Sequence, residues 1–161
     1  MGSKTATIQD EIKQTKPFAF IEQEAVVSLL RTASYVRLQY DHLVQEEGIT
    51  TQQYNILRIL RGAAQALPTM DISERLVDQT PGITRLLDRL EKKHLIARDR
   101  CPHDRRQVLC TITDQAIQLL ERLEEPINQL DTASLASLSS DEINSLLTLL
   151  QSIRENLKIP E

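Results

Sequence analysis

The chain is short of glycine and of aromatic residues. Four glycines and an aromatic content of 3% are spread over 161 residues. A turn-dense β-sandwich draws on more of both, so their scarcity shifts the expectation towards helix. No apolar run approaches the ~18 residues of a membrane-spanning helix. The first residues carry no apolar core suited to a secretory signal, so a cytoplasmic location without membrane contact is expected. Two cysteines, Cys101 and Cys110, are too few for a disulfide framework. The sequence has no phosphate-cradling glycine loop, no nucleophile elbow and no H-E-x-x-H. It is therefore read as a non-enzyme without a cofactor. It is also read as metal-free, because Cys101, His103 and Cys110 lack a fourth ligand.

The chain has one domain's length, with 40% apolar and 26% charged residues. That suits a folded protein burying roughly 70% of its unfolded surface. The net charge of −4 hides an asymmetry. Between Thr80 and Cys110 there are eight basic residues: Arg85, Arg89, Lys92, Lys93, Arg98, Arg100, Arg105 and Arg106. Four acids accompany them (Asp88, Glu91, Asp99, Asp104), so this window is +4 and the rest of the chain is −8. A basic middle in an acidic frame implies a local anion-binding face.

Residues 1–16 are polar and without a period, and read as a flexible arm. From Phe20 to Gln45, Val26, Leu29, Ala33, Val36, Tyr40 and Leu43 recur at steps of three and four, a heptad seam on a long helix. Gly48 suits its C-terminal cap. Thr50 to Gln53 fits a capping box and Ile49 with Tyr54 a hydrophobic staple, opening a helix that Gly62 is expected to stop. A short helical segment over about Thr69 to Val77 follows. Thr80-Pro81 then reads as an N-cap and first helical residue. That helix places Ile83, Leu86, Leu87 and Leu90 inward, and Thr84, Arg85, Asp88 and Arg89 outward. Ile96 to Arg100 and Val108 to Thr113 read as strands joined by a polar turn. Thr113-Asp114 starts a long helix to about Ser137, which Pro126 inside it is expected to bend. Ser139 to Glu142 opens the last helix, with Ile143, Leu146, Leu147, Leu150, Ile153 and Leu157 as a second seam.

The expected fold is mainly α with a small β-hairpin wing: a winged helix-turn-helix at 48–113 between a dimerisation helix at 17–47 and C-terminal dimerisation helices at 114–161. The seams (Val26, Leu29 and Val36 early; Leu146, Leu150, Ile153 and Leu157 late) have no partner inside so small a winged domain. Packing between two chains would bury them.

The run from Pro81 to Thr113, PGITRLLDRLEKKHLIARDRCPHDRRQVLCTIT, resembles the MarR family of bacterial transcription regulators. The matching pieces are Arg85-Leu86 and Leu90-Glu91 in the recognition helix, Asp104-Arg105-Arg106 in the wing, and Ile112-Thr113 after it. The motifs reach from about Ile49 to Leu123. Two glycines usual in the family are replaced here, by His94 and Ala116; histidine tolerates a left-handed turn better than most residues.

The resemblance implies a homodimer that regulates transcription by binding a pseudo-palindromic duplex DNA, a repressor released by a small molecule. Thr80, Pro81 and Gly82 would let a phosphate approach the helix N-terminus. Thr84, Arg85 and Arg89 would reach the major groove. Arg105 and Arg106 would enter the flanking minor groove, with Asp104 orienting one of them through an ion pair. Family members bind small, often phenolic or anionic, effectors. Arg31, Tyr35, Arg37, Tyr40 and Tyr54 are the candidates to line such a pocket, and the same tyrosines equally suit the core or the seam. Cys101 and Cys110 flank the Arg105/Arg106 midpoint and are expected to face each other across the hairpin, which would allow a redox-gated DNA binder. A winged-helix module that binds a protein partner without reading DNA is the other alternative.

Overall fold

The computed structural model describes residues 6–78, 82–104 and 106–158. The chain divides into two compact units, 1–52 and 53–161.

In the first unit, α1 (Ile8–Glu11) is opened by a capping box between Thr7 and Asp10. Glu11 accepts a hydrogen bond from the Tyr35 hydroxyl at 3.3 Å and lies 3.8 Å from Arg31 Nε. The expected flexible arm therefore carries a capped turn tied to the next helix. That helix, α2 (Ile21–Glu46), has Val44 as its one buried residue. Val26 (56% exposed), Leu29 and Val36 lie open along it. Its end follows the Schellman pattern: the Gly48 amide donates to Gln45 O and the Ile49 amide to Val44 O, with Gly48 at φ +71°. The Thr51 hydroxyl bonds the Asp41 carboxylate.

The second unit is built on α3 (Thr51–Ala63), which starts just before the boundary between the units and buries Ile56, Leu57 and Leu60. Gly62 does not stop α3; the helix runs one residue further and the left-handed residue is Ala64, at φ +52°. The chain must turn there into β1 (Leu67–Pro68), where proline cannot extend a helix. Next come α4 (Thr69–Glu74) and α5 (Ile83–Lys92). The expected start of α5 at Thr80-Pro81 falls on residues outside the described ones. The helix begins later, with Gly82 as N-cap at φ +103°. A residue with that φ lies outside the right-handed helix, and glycine adopts it without the cost of a Cβ.

The sheet has three antiparallel strands in the order β1-β3-β2, where the sequence suggested a hairpin alone. In β2 (Ile96–Arg100) and β3 (Val108–Ile112), Ile96 pairs with Ile112 and Arg100 with Val108. Leu67 pairs with Cys110 on the other side. A two-residue strand has no measurable period, and Pro68 suits an edge.

Beyond the sheet, α6 (Asp114–Ser134) is capped by Thr113 and is continuous across Pro126. It ends a few residues before the expected Ser137. A capping box between Ser139 and Glu142 opens α7 (Ser140–Leu157). Leu86, Leu87, Leu90, Leu95 and Ile96 join Ile72, Leu119, Leu120 and Leu123 in the core. Deleting one such leucine side chain costs about 2–5 kcal/mol. In α7 no residue is fully buried, and Leu157 is 73% exposed.

Candidate nucleic-acid interface

Helices α4 and α5 contact each other, and α5 contacts β2, so the helix-turn-helix and the hairpin form one continuous body. The leucines of α5 fix its orientation. Leu86, Leu87 and Leu90 are buried, which leaves Thr84, Arg85 and Arg89 exposed on the opposite side. At its N-terminus, Gly82 supplies no side-chain cap, and the Arg85 and Leu86 amides bond back to its carbonyl.

The two acids of this helix are engaged by the wing. Arg98, on β2, places Nη2 2.7 Å from Asp88 Oδ1, and donates to Glu91 Oε2 from Nη2 and, at 2.9 Å, from Nε. Hydrogen bonding to Glu91 outweighs desolvation and, with Asp88, holds the guanidinium more firmly protonated than an ordinary arginine. Among the described residues, Arg85 and Arg89 form no ion pair with these acids, so their charge faces solvent. The sequence reading counted Arg98 as one more positive charge and missed this role. The available signal was an arginine on a strand a few residues after two acids on a helix.

At the hairpin tip, the Cys101 amide donates to Gln107 O and the Gln107 amide to Asp104 O, closing the loop. Asp104 Oδ1 accepts from the Arg106 amide at 3.0 Å and lies 3.5 Å from Arg106 Nε. The Arg106 side chain is 92% exposed. Arg105, Thr80 and Pro81 lie outside the described residues.

Cys101 and Cys110 do not face each other. The register centres the hairpin on Asp104 rather than between Arg105 and Arg106, so Cys110 lies opposite Arg98. Cys110 is fully buried and both thiols are free. Burial raises the Cys110 thiol pKa, against a smaller opposing effect of a hydrogen bond with Thr69.

The proposed effector residues divide between the units. In the first, the Arg31 guanidinium stacks 4.5 Å from the Tyr35 ring centre, while exposed Arg37 and half-buried Tyr40 lie further along α2. Tyr54 belongs to the second unit, where it is buried beneath Arg58 and its phenol pKa is raised by that burial.

Residues 49–108, from the cap of α3 to the start of β3, match the family model described as MarR family. A MarR transcription factor from Planctomyces limnophilus is 35% identical; the match covers 84% of this chain and 98% of that one, with a TM-score of 0.65. The chain belongs to the MarR family. It is thus a winged-helix protein of a family of DNA-binding transcription regulators. A mutant MarR from E. coli, solved complexed with operator DNA, is 26% identical over 85% of this chain and 99% of its own, with a TM-score of 0.74. The PcaV transcriptional regulator of Streptomyces coelicolor, solved with its natural ligand, shares the fold at a TM-score of 0.77 and 24% identity, covering 89% of this chain and 100% of its own. Among the described residues of this MarR protein, no helix is long and apolar enough to cross a membrane.

Proposed function

We propose that this MarR protein is a homodimeric repressor that reads a pseudo-palindromic duplex. The observation that carries the reading is the basic face of α5, with Arg85 and Arg89 exposed, beside a wing that presents Arg106. In this reading Thr84, Arg85 and Arg89 enter a major groove. A phosphate meets the N-terminus of α5 at Thr80, Pro81 and Gly82, and the wing arginines Arg105 and Arg106 follow the adjacent minor groove. Asp104 accepts from the Arg106 amide and so fixes the loop backbone that carries the exposed Arg106 side chain. The apolar stripes of α2 and α7, open at Val26, Leu29, Val36, Ile153 and Leu157 and half-buried at Leu146 and Leu150, supply the dimer contact. A two-fold dimer then spaces its recognition helices about one DNA turn, ~34 Å, apart.

Release by a small phenolic or anionic effector fits the Arg31–Tyr35 stack, which pairs a cation with an aromatic face. A ligand that favours a different spacing of the recognition helices would weaken operator binding by its differential affinity, typically 1–3 kcal/mol.

The test is selection of bound duplexes from a random pool by the purified full-length chain. A winner with two inverted half-sites centred about 10 base pairs apart supports the reading. Failure to enrich any sequence overturns it.

A further inference from the structure

We propose that Arg98 is a positioning residue, which fixes the wing against the recognition helix so that both reach the DNA in one geometry. This inference rests on the DNA-binding reading above. Arg98 sits on the strand leading to the wing tip, and its guanidinium bridges Asp88 and Glu91, one turn apart on the helix that carries Arg85 and Arg89. The planar fork of arginine can hold two carboxylates at once, whereas the single ammonium of lysine holds a less defined geometry. Arg98 is 22% exposed and Asp88 and Glu91 are 45% and 41% exposed, so the bridge is shielded from salt on the arginine side only. The bridge leaves the neighbouring helix arginines free, and it joins the major-groove element to the minor-groove element through side chains.

The helix-side variants Glu91→Gln and Asp88→Asn separate positioning from charge. Each removes one negative charge beside the DNA-binding elements and leaves Arg98 with a single carboxylate partner. Simple electrostatics therefore predicts tighter binding. Positioning predicts the opposite sign: about tenfold weaker binding of the duplex selected by the wild-type protein. In an Arg105→Ala/Arg106→Ala background the loss should shrink towards nothing, because a wing without its arginines gains little from being held. Arg98→Lys should recover only part of the affinity lost in Arg98→Met, and a thermal melt of each variant establishes that it is folded. Equal or tighter binding by Glu91→Gln, or losses that add fully with Arg105→Ala/Arg106→Ala, overturns the proposal.

Amide hydrogen exchange provides an arm that needs no DNA. Faster exchange at Cys101 and Gln107 in Glu91→Gln, with α6 unchanged, supports the bridge as a clamp on the wing. Unchanged exchange there contradicts it. If the wild-type chain selects no duplex, the functional reading fails while the exchange measurement still decides the clamp.

Discussion

The Thr113 hydroxyl donates to the His94 carbonyl at 2.8 Å while its oxygen accepts from the Ala116 amide at 3.3 Å. One side chain thus joins the end of the recognition helix to the start of α6. His94 is the left-handed residue closing α5, at φ +58°, with its amide bonded to Glu91 O and the Leu95 amide bonded to Leu90 O. A side chain in that region costs about 1–2 kcal/mol. His94→Gly should therefore stabilise the protein by roughly 0.5–1 kcal/mol after the added freedom of the unfolded chain is included. Thr113→Ala should destabilise it by about 1 kcal/mol or more, because the cap and the carbonyl bond go together. Urea unfolding at fixed protein concentration checks both, and a destabilising His94→Gly would refute the strain argument.

Acid should remove the capping of α7. The Ser139 amide and then its hydroxyl donate to Glu142, lowering its carboxyl pKa below the ordinary 4.5. A pKa depressed by folding contributes stability that is fully present above the unfolded value. That stability is lost as pH falls through the lower folded value. The difference in Tm between wild type and Glu142→Ala should be constant near neutrality and close as pH drops below about 4. A difference that widens in acid would contradict the assignment.

The open stripes on α2 and α7 should hold two chains together. Ile153 is 42% exposed and Leu157 73% exposed in the single chain. Sedimentation should give twice the 18.3 kDa chain mass for the wild type. Ile153→Asp with Leu157→Asp should shift it towards one chain mass, since a charge buried at an apolar interface leaves an unpaired ion. A wild-type monomer at micromolar concentration would remove the dimer from the account.

The cysteines should differ sharply in reactivity. Cys110 is fully buried with its thiol pKa raised by desolvation, whereas Cys101 is partly exposed at the base of the hairpin loop. Near pH 8, a thiol reagent should label the native wild type at one site per chain, and Cys101→Ser should remove that site. Rapid labelling of Cys101→Ser at Cys110 would indicate that the sheet opens under native conditions.

Much of this fold was legible from local chemistry. The caps at Thr113 and Ser139 follow from side chains acting within a few residues, and the left-handed turn at His94 from the glycine usual there in the family it resembles. The register of the β2–β3 pair did not follow. It depends on where the loop closes, and the Cys101–Gln107 bond centres it on Asp104. β1 was invisible because its two residues become a strand only by pairing with β3. Gly62 misled because a glycine in the last turn is tolerated when Ala64 takes the left-handed turn. In the candidate interface, the exposure of Arg85 and Arg89 followed from helical periodicity. The pairing of Arg98 with Asp88 and Glu91 is a tertiary relationship that no periodicity encodes.

In the proposed complex the α5 face and the wing both meet DNA. The most direct measurement is the dependence of log K on log salt for the selected duplex. It should compare wild type, Arg85→Ala/Arg89→Ala and Arg105→Ala/Arg106→Ala. The wild type should show a steep negative slope. Each variant should show weaker binding and a slope shallower by about 0.9 per lost phosphate contact. Affinity and slope indifferent to both pairs of arginines would contradict the proposed complex and would favour a winged-helix module that engages a protein instead.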